Sequence, residues 1–104
     1  MGKKKDINKL VTFLSLGLVH RIGSIVNLNE IYSEKYKKES EVFLKNAVKI
    51  SLRYNWNKKD KVEIRELLKK KLRNDLEKRD FLDSKKFNLM DKEINGILMS
   101  LDLN

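Results

Sequence analysis

Apolar positions recur along this chain at spacings of three, four and seven, and the densest run comes first. Over Leu10–Val26, LVTFLSLGLVHRIGSIV, two sets of side chains separate on a helical wheel. Ile7, Val11, Leu14, Leu18 and Ile25 share one face, and Phe13, Leu16 and His20 share another. A helix that is apolar nearly all round is buried on all sides, so this segment is predicted to be the central helix of a small bundle. Gly23 and the turn-forming Asn27 and Asn29 predict a break between Gly23 and Asn29.

From Glu30 the pattern resumes as an amphipathic helix reaching about Tyr54. Its stripe is Tyr32, Tyr36, Phe43, Ala47, Ile50 and Tyr54, widened by Leu44 and Val48. The polar stretch Asn55–Lys59, broken only by Trp56, predicts a loop. Asp60 with Glu63 has the spacing of a capping box, placing the start of a third helix there. That helix is expected to run to Asp80 with Ile64, Leu67, Leu68, Leu72 and Leu76 inward. After Phe81 and Leu82, Asp83 and Ser84 mark a turn. Asp91 is the expected N-cap of a last helix through Leu101, packing through Ile94, Ile97, Leu98 and Leu101. The fold class that follows is all-α. It is a small bundle of about four helices around a central apolar N-terminal helix, one domain over residues 1–104, with a short basic arm at 1–6 and Asp6 as the N-cap of the first helix.

Composition narrows the chemistry. The chain has no cysteine and no proline, which excludes disulfides, thiolate nucleophiles and thiolate metal sites, and leaves little to interrupt long helices. A reducing, cytoplasmic setting is the expectation. The charged start followed by the apolar run Leu10–Val19 copies the first two regions of a secretory signal, but His20 and Arg21 follow directly with no small-x-small cleavage site. The same two residues interrupt any membrane span, so a membrane partner is not expected. One histidine, no Gly-rich phosphate loop and no repeated carboxylate motif predict no catalytic site, no cofactor and no metal. Asp80 with Asp83 supplies too few oxygens to hold a hard cation.

Charge adds a partner class. The formal net charge is +9, and basic proteins gain affinity for nucleic acid by releasing counterions from phosphates. The excess falls in the first half of the chain. Candidate phosphate contacts are Lys3, Lys4, Lys5 and Lys9 at the start and Lys37, Lys38, Lys45, Lys49 and Arg53 on the second helix. Lysine far outnumbers arginine and asparagine is abundant, a bias that AT-rich codons also produce. The run Lys69, Lys70, Lys71 is discounted, because Glu66, Asp75 and Arg79 stand at helical pairing distances that predict a salt-laced, near-neutral face. The aromatic stripe beside the lysines has the makings of a platform for unpaired bases, although core packing explains the same period.

Two functional expectations result. The first is a non-enzymatic interaction module that associates with itself or with another protein through the apolar face of the N-terminal helix, using Phe13, Leu16, His20 and Trp56. The alternative is an accessory protein that binds DNA or RNA through the basic arm and second helix.

Overall fold

Four α-helices account for the periodic stretches: α1 (Gly2–Val26), α2 (Glu30–Ser51), α3 (Lys58–Glu77) and α4 (Met90–Ser100), with a 3-10 segment, Ser84–Leu89, before the last. The computed structural model describes residues 2–27 and 29–104, and no strand occurs among them. The fold is the all-α bundle that the apolar spacing predicts.

α1 is its axis. At 1.5 Å per residue its 25 residues extend roughly 37 Å, nearly the full 41 Å of the molecule's long dimension. α2 lies along one side of α1 and packs on no other helix, while α3, the 3-10 segment and α4 cover the opposite side. This placement explains why α1 is greasy all round. Leu10, Leu14, Leu18 and Ile22 are buried against a facing row of Ile64, Leu68, Leu72 and Leu76, with Ile94 and Leu98 closing the core. Each such leucine removed from water stabilises the fold by about 1.5–3 kcal/mol.

Two glycines let α2 approach closely. A Cβ at Gly17 would sit 2.5 Å from Leu44 Cδ2, and one at Gly23 would overlap the Tyr36 ring. Ser40 Oγ also donates to the Gly17 carbonyl at 2.8 Å. The two glycines that cost α1 helix propensity are therefore the seats of the α1–α2 contact.

Several boundaries differ from expectation, each for a local reason. The expected arm is helical from Gly2, so Asp6 is no N-cap; it sits inside α1, accepting from Tyr54 Oη at 2.7 Å and Arg53 Nη1 at 3.2 Å. α2 stops at Ser51, short of Tyr54, where Trp56 Nε1 donates to the Ser51 carbonyl at 2.8 Å and satisfies one of the helix's open acceptors. α3 starts at Lys58 because Asn57 is its cap. Asn57 Oδ1 accepts from the Asp60 amide at 2.8 Å and Asp60 Oδ2 accepts from the Asn57 amide at 3.2 Å. Asp60 thus belongs to a capping box, but at its inner position, and Glu63 has no part in it. α4 begins at Met90, and Asp91 lies within its first turn. At the other end of α4, Asp102 has φ 58°, and Leu103 donates to the Leu98 carbonyl at 2.7 Å, a Schellman closure that returns Leu103 to the core.

The pairs expected along α3 do not form. All four ion pairs among the described residues run instead between α1 and another part of the chain: Lys3–Asp60, His20–Glu39, Arg21–Glu93 and Arg53–Asp6. Asp75, expected to pair with Lys71 and Arg79, is buried and accepts from Ser15 Oγ of α1 at 2.6 Å.

Candidate functional site

The N-terminal half of α1 leaves Gly2, Lys4, Lys5, Asn8, Lys9 and Thr12 in water, and Lys5, Asn8, Lys9 and Thr12 form a ridge. A groove lies on each flank. Towards α2 it has a volume of about 440 Å³, and the ridge residues are joined by Phe13, Asn46, Lys49, Ile50 and Arg53. Towards α3 the volume is about 350 Å³, and Asn8 and Thr12 are joined by Val11, Leu67, Lys70, Lys71, Asn74, Asp75 and Lys78. Because Asn8 and Thr12 line both, the grooves are two halves of one face.

That face gathers seven cations, Lys5 and Lys9 of α1, Lys49 of α2 with Arg53 just past it, and Lys70 and Lys71 of α3 with Lys78 just past it, against one lining carboxylate. The carboxylate, Asp75, is committed to Ser15. Asn8, Asn46, Asn74 and Thr12 stand between the cations as uncharged hydrogen-bonding groups. Arg53 is held at the rim by Asp6. The Asp6 carboxyl is lowered below the ordinary carboxylate range, chiefly by the hydrogen bond from Tyr54 and further by Arg53, while Asp6 in turn raises the Tyr54 hydroxyl above the usual phenol range.

Of the nine cations chosen from sequence, four lie on this face: Lys5, Lys9, Lys49 and Arg53. Lys3 is spent elsewhere, bonded to Asp60 at 2.6 Å and stacked over the Tyr54 and Trp56 rings at 5.9 and 5.8 Å. Lys4, Lys38 and Lys45 are exposed outside the two grooves, and Lys37 lines a separate cavity with Arg21 and Glu41. Sequence reasoning missed Lys70, Lys71 and Lys78. The signal was their spacing from Leu67 and Asn74, which puts all five on one flank of α3.

The apolar candidates separate as well. Phe13 and Leu16 are half-buried on α1. His20 is only 8% exposed, its Nδ1 2.7 Å from the Leu16 carbonyl and its Nε2 2.9 Å from Glu39 Oε2. Its ring packs against Tyr36 and Phe43 at 5.2 and 5.3 Å. His20 is therefore largely covered by this chain's own α2. Trp56 packs against the end of the core and edge-on to Tyr54 at 5.1 Å, remote from the other three.

Beyond His20 the same seam opens into a third cavity of about 500 Å³, lined by Asn27, Tyr32, Lys35, Tyr36, Glu39 and Phe81 besides His20 itself. Among the described residues no group of three His, Asp or Glu side chains is placed to hold a metal ion. α1 is long and apolar enough to cross a membrane by length and composition, yet in this fold over half of its most apolar stretch is packed inside.

Fold and face together define a helical domain organised on its first helix, with one basic, two-grooved surface. Comparison of the chain with protein-family models, with curated proteins and with solved structures finds no match.

Proposed function

We propose that this domain binds nucleic acid in the cytoplasm through the phosphate backbone, seated on the two-groove face, and carries out no chemistry of its own. The observation that carries the reading is the convergence of Lys5, Lys9, Lys49, Arg53, Lys70, Lys71 and Lys78, from three helices and the residues just past the ends of α2 and α3, around the Asn8–Thr12 ridge. A codon bias towards lysine scatters charge over a surface; it does not account for a face with seven cations and one occupied carboxylate. Phosphate contacts of this kind fix position and supply affinity without reading sequence.

Anisotropy of labelled duplex and single-stranded oligonucleotides, titrated at rising salt, tests it. Affinity is expected to fall steeply as salt rises. The combined variant Lys9→Ala, Lys49→Ala, Lys71→Ala is expected to bind about tenfold more weakly or worse and to flatten the salt slope by about one for each phosphate-neutralising lysine removed. Lys92→Ala, exposed on α4, is expected to bind like the parent. Absence of binding at low salt, or a triple variant indistinguishable from the parent, sinks the proposal.

A second reading is association with a protein, a second copy of this chain first. It is favoured by the outer side of α2, where Ile31 and Leu52 are each 80% exposed and Val42 60% on a helix that packs on α1 alone. On α1 the chain itself covers His20, while Phe13 and Leu16 stay half-buried and Ile25 is 54% exposed. Light scattering over a range of concentrations tests this reading, and a mass equal to one chain at every concentration removes it.

A further inference from the structure

The basic groove and the cavity beyond His20 lie at two ends of the seam between α1 and α2, separated by the packed rings of His20 and Phe43. Along this contact α1 contributes Lys9, Phe13, Leu16 and His20, and α2 contributes Tyr32, Tyr36, Glu39, Phe43, Asn46 and Ile50 with Arg53 just past its end, all at successive steps of three or four. The ring contacts of His20 with Tyr36 and Phe43 fix the two ladders against each other. One end of this seam is cationic and the other aromatic.

The aromatic end has an unusual composition for a surface. Tyr32 is 57% and Phe81 71% exposed, on different elements yet lining one cavity with the half-buried Tyr36. Core packing explains Tyr36, which covers Gly23. It does not explain the other two, whose rings remain largely in water. Asn27 and Glu39 offer the cavity amide and carboxylate groups, and Lys35 adds a cation at the rim.

Resting on the phosphate-binding reading, we propose that the nucleic acid is single-stranded, and that an unpaired base is held in this cavity against Tyr32 and Phe81 while its strand runs along the seam to the basic groove. Aromatic faces stack any base, and a polar side chain beside them reads its edge. A duplex keeps its bases inside and has nothing to offer the cavity. From Lys9 to His20 is about 16 Å along the helix, on the order of five stacked nucleotides at 3.4 Å each. The partner chemistry is therefore a flexible strand whose phosphates meet the lysines at one end and whose base meets the aromatics at the other.

The experiment compares binding of an oligothymidylate of about ten nucleotides, long enough to span the seam, with binding of a duplex of the same length, for the full chain and for Tyr32→Leu and Phe81→Leu. Leucine keeps the apolar bulk and removes the ring face, and circular dichroism confirms that each variant is folded. The expected result is tighter binding of the single strand, weakened about tenfold by either variant, the scale of one base stack, with duplex binding unchanged. Tyr32→Phe is expected to bind the single strand like the parent. Equal binding of strand and duplex, or leucine variants that bind the strand like the parent, overturns the base-cavity proposal. If the lysine triple variant still weakens both ligands in that case, the phosphate face stands without the cavity. If neither ligand binds at low salt, both fail.

Discussion

Ser15 shows how much a single polar group contributes inside this core. It is fully buried on the central helix, and its hydroxyl is the donor for a carboxylate, Asp75, that is itself almost fully buried. Ser15→Ala leaves that acceptor without this partner in a low-dielectric setting. The expected loss is about 1–3 kcal/mol in chemical denaturation, larger than a surface serine would show. Lys86 is the complementary case. Its ammonium is buried, donates to the Arg79 carbonyl at 2.7 Å and lies over the Phe87 ring at 5.1 Å, which ties the 3-10 segment to the end of α3.

The elements place their backbone-demanding positions unevenly. Gly17 is required by contact, whereas a Cβ at Gly96, in the middle of α4, meets nothing within 4 Å. Gly96→Ala is therefore expected to stabilise by about 0.5–1 kcal/mol from helix propensity alone. Gly17→Val drives a branched side chain into Leu44 and is expected to destabilise by about 1–3 kcal/mol. Asp102 occupies a left-handed position that glycine fills without strain, so Asp102→Gly is expected to raise the midpoint of thermal unfolding. Parallel melts of these three variants check all three signs.

At the scale of the molecule, one polar junction joins three helices. Lys3 and Asp6 of α1 meet Arg53 and Tyr54 after α2 and Asp60 of α3. Asp6 is lowered chiefly by the Tyr54 hydrogen bond and Asp60 chiefly by the Lys3 hydrogen bond. A lowered folded-state pKa contributes stability above the ordinary carboxylate range and loses it as pH falls through the folded value. Tyr54 is raised by Asp6, so its contribution is complete below the ordinary phenol range and is lost as pH rises through the folded value. The junction is expected to loosen below about pH 4 and above about pH 10, and Trp56 fluorescence reports it because that ring packs on Tyr54. Asp6→Asn is expected to shrink both limbs of that profile. A profile that is identical in parent and variant separates the junction from the fold's pH response.

The helices and their inward faces were legible from spacing, because a period near 3.6 shows which side chains share a face whatever they pack against. So was the centrality of Leu10–Val26, whose two apolar sides require cover on both. The sequence alone did not show that the cover comes from the chain itself, which buries His20 under α2 and leaves Phe13 and Leu16 at a seam. The basic face was half legible. Lys5, Lys9, Lys49 and Arg53 stood out by local charge, but Lys70 and Lys71 looked neutralised, because pairing along one helix is all that sequence spacing exposes, and Lys78 was not singled out. Tertiary packing decided otherwise: it drew Asp75 inward to Ser15 and set that lysine flank beside Asn8 and Thr12. Local periodicity fixes which face a residue is on, and only the docking of helices fixes what that face meets.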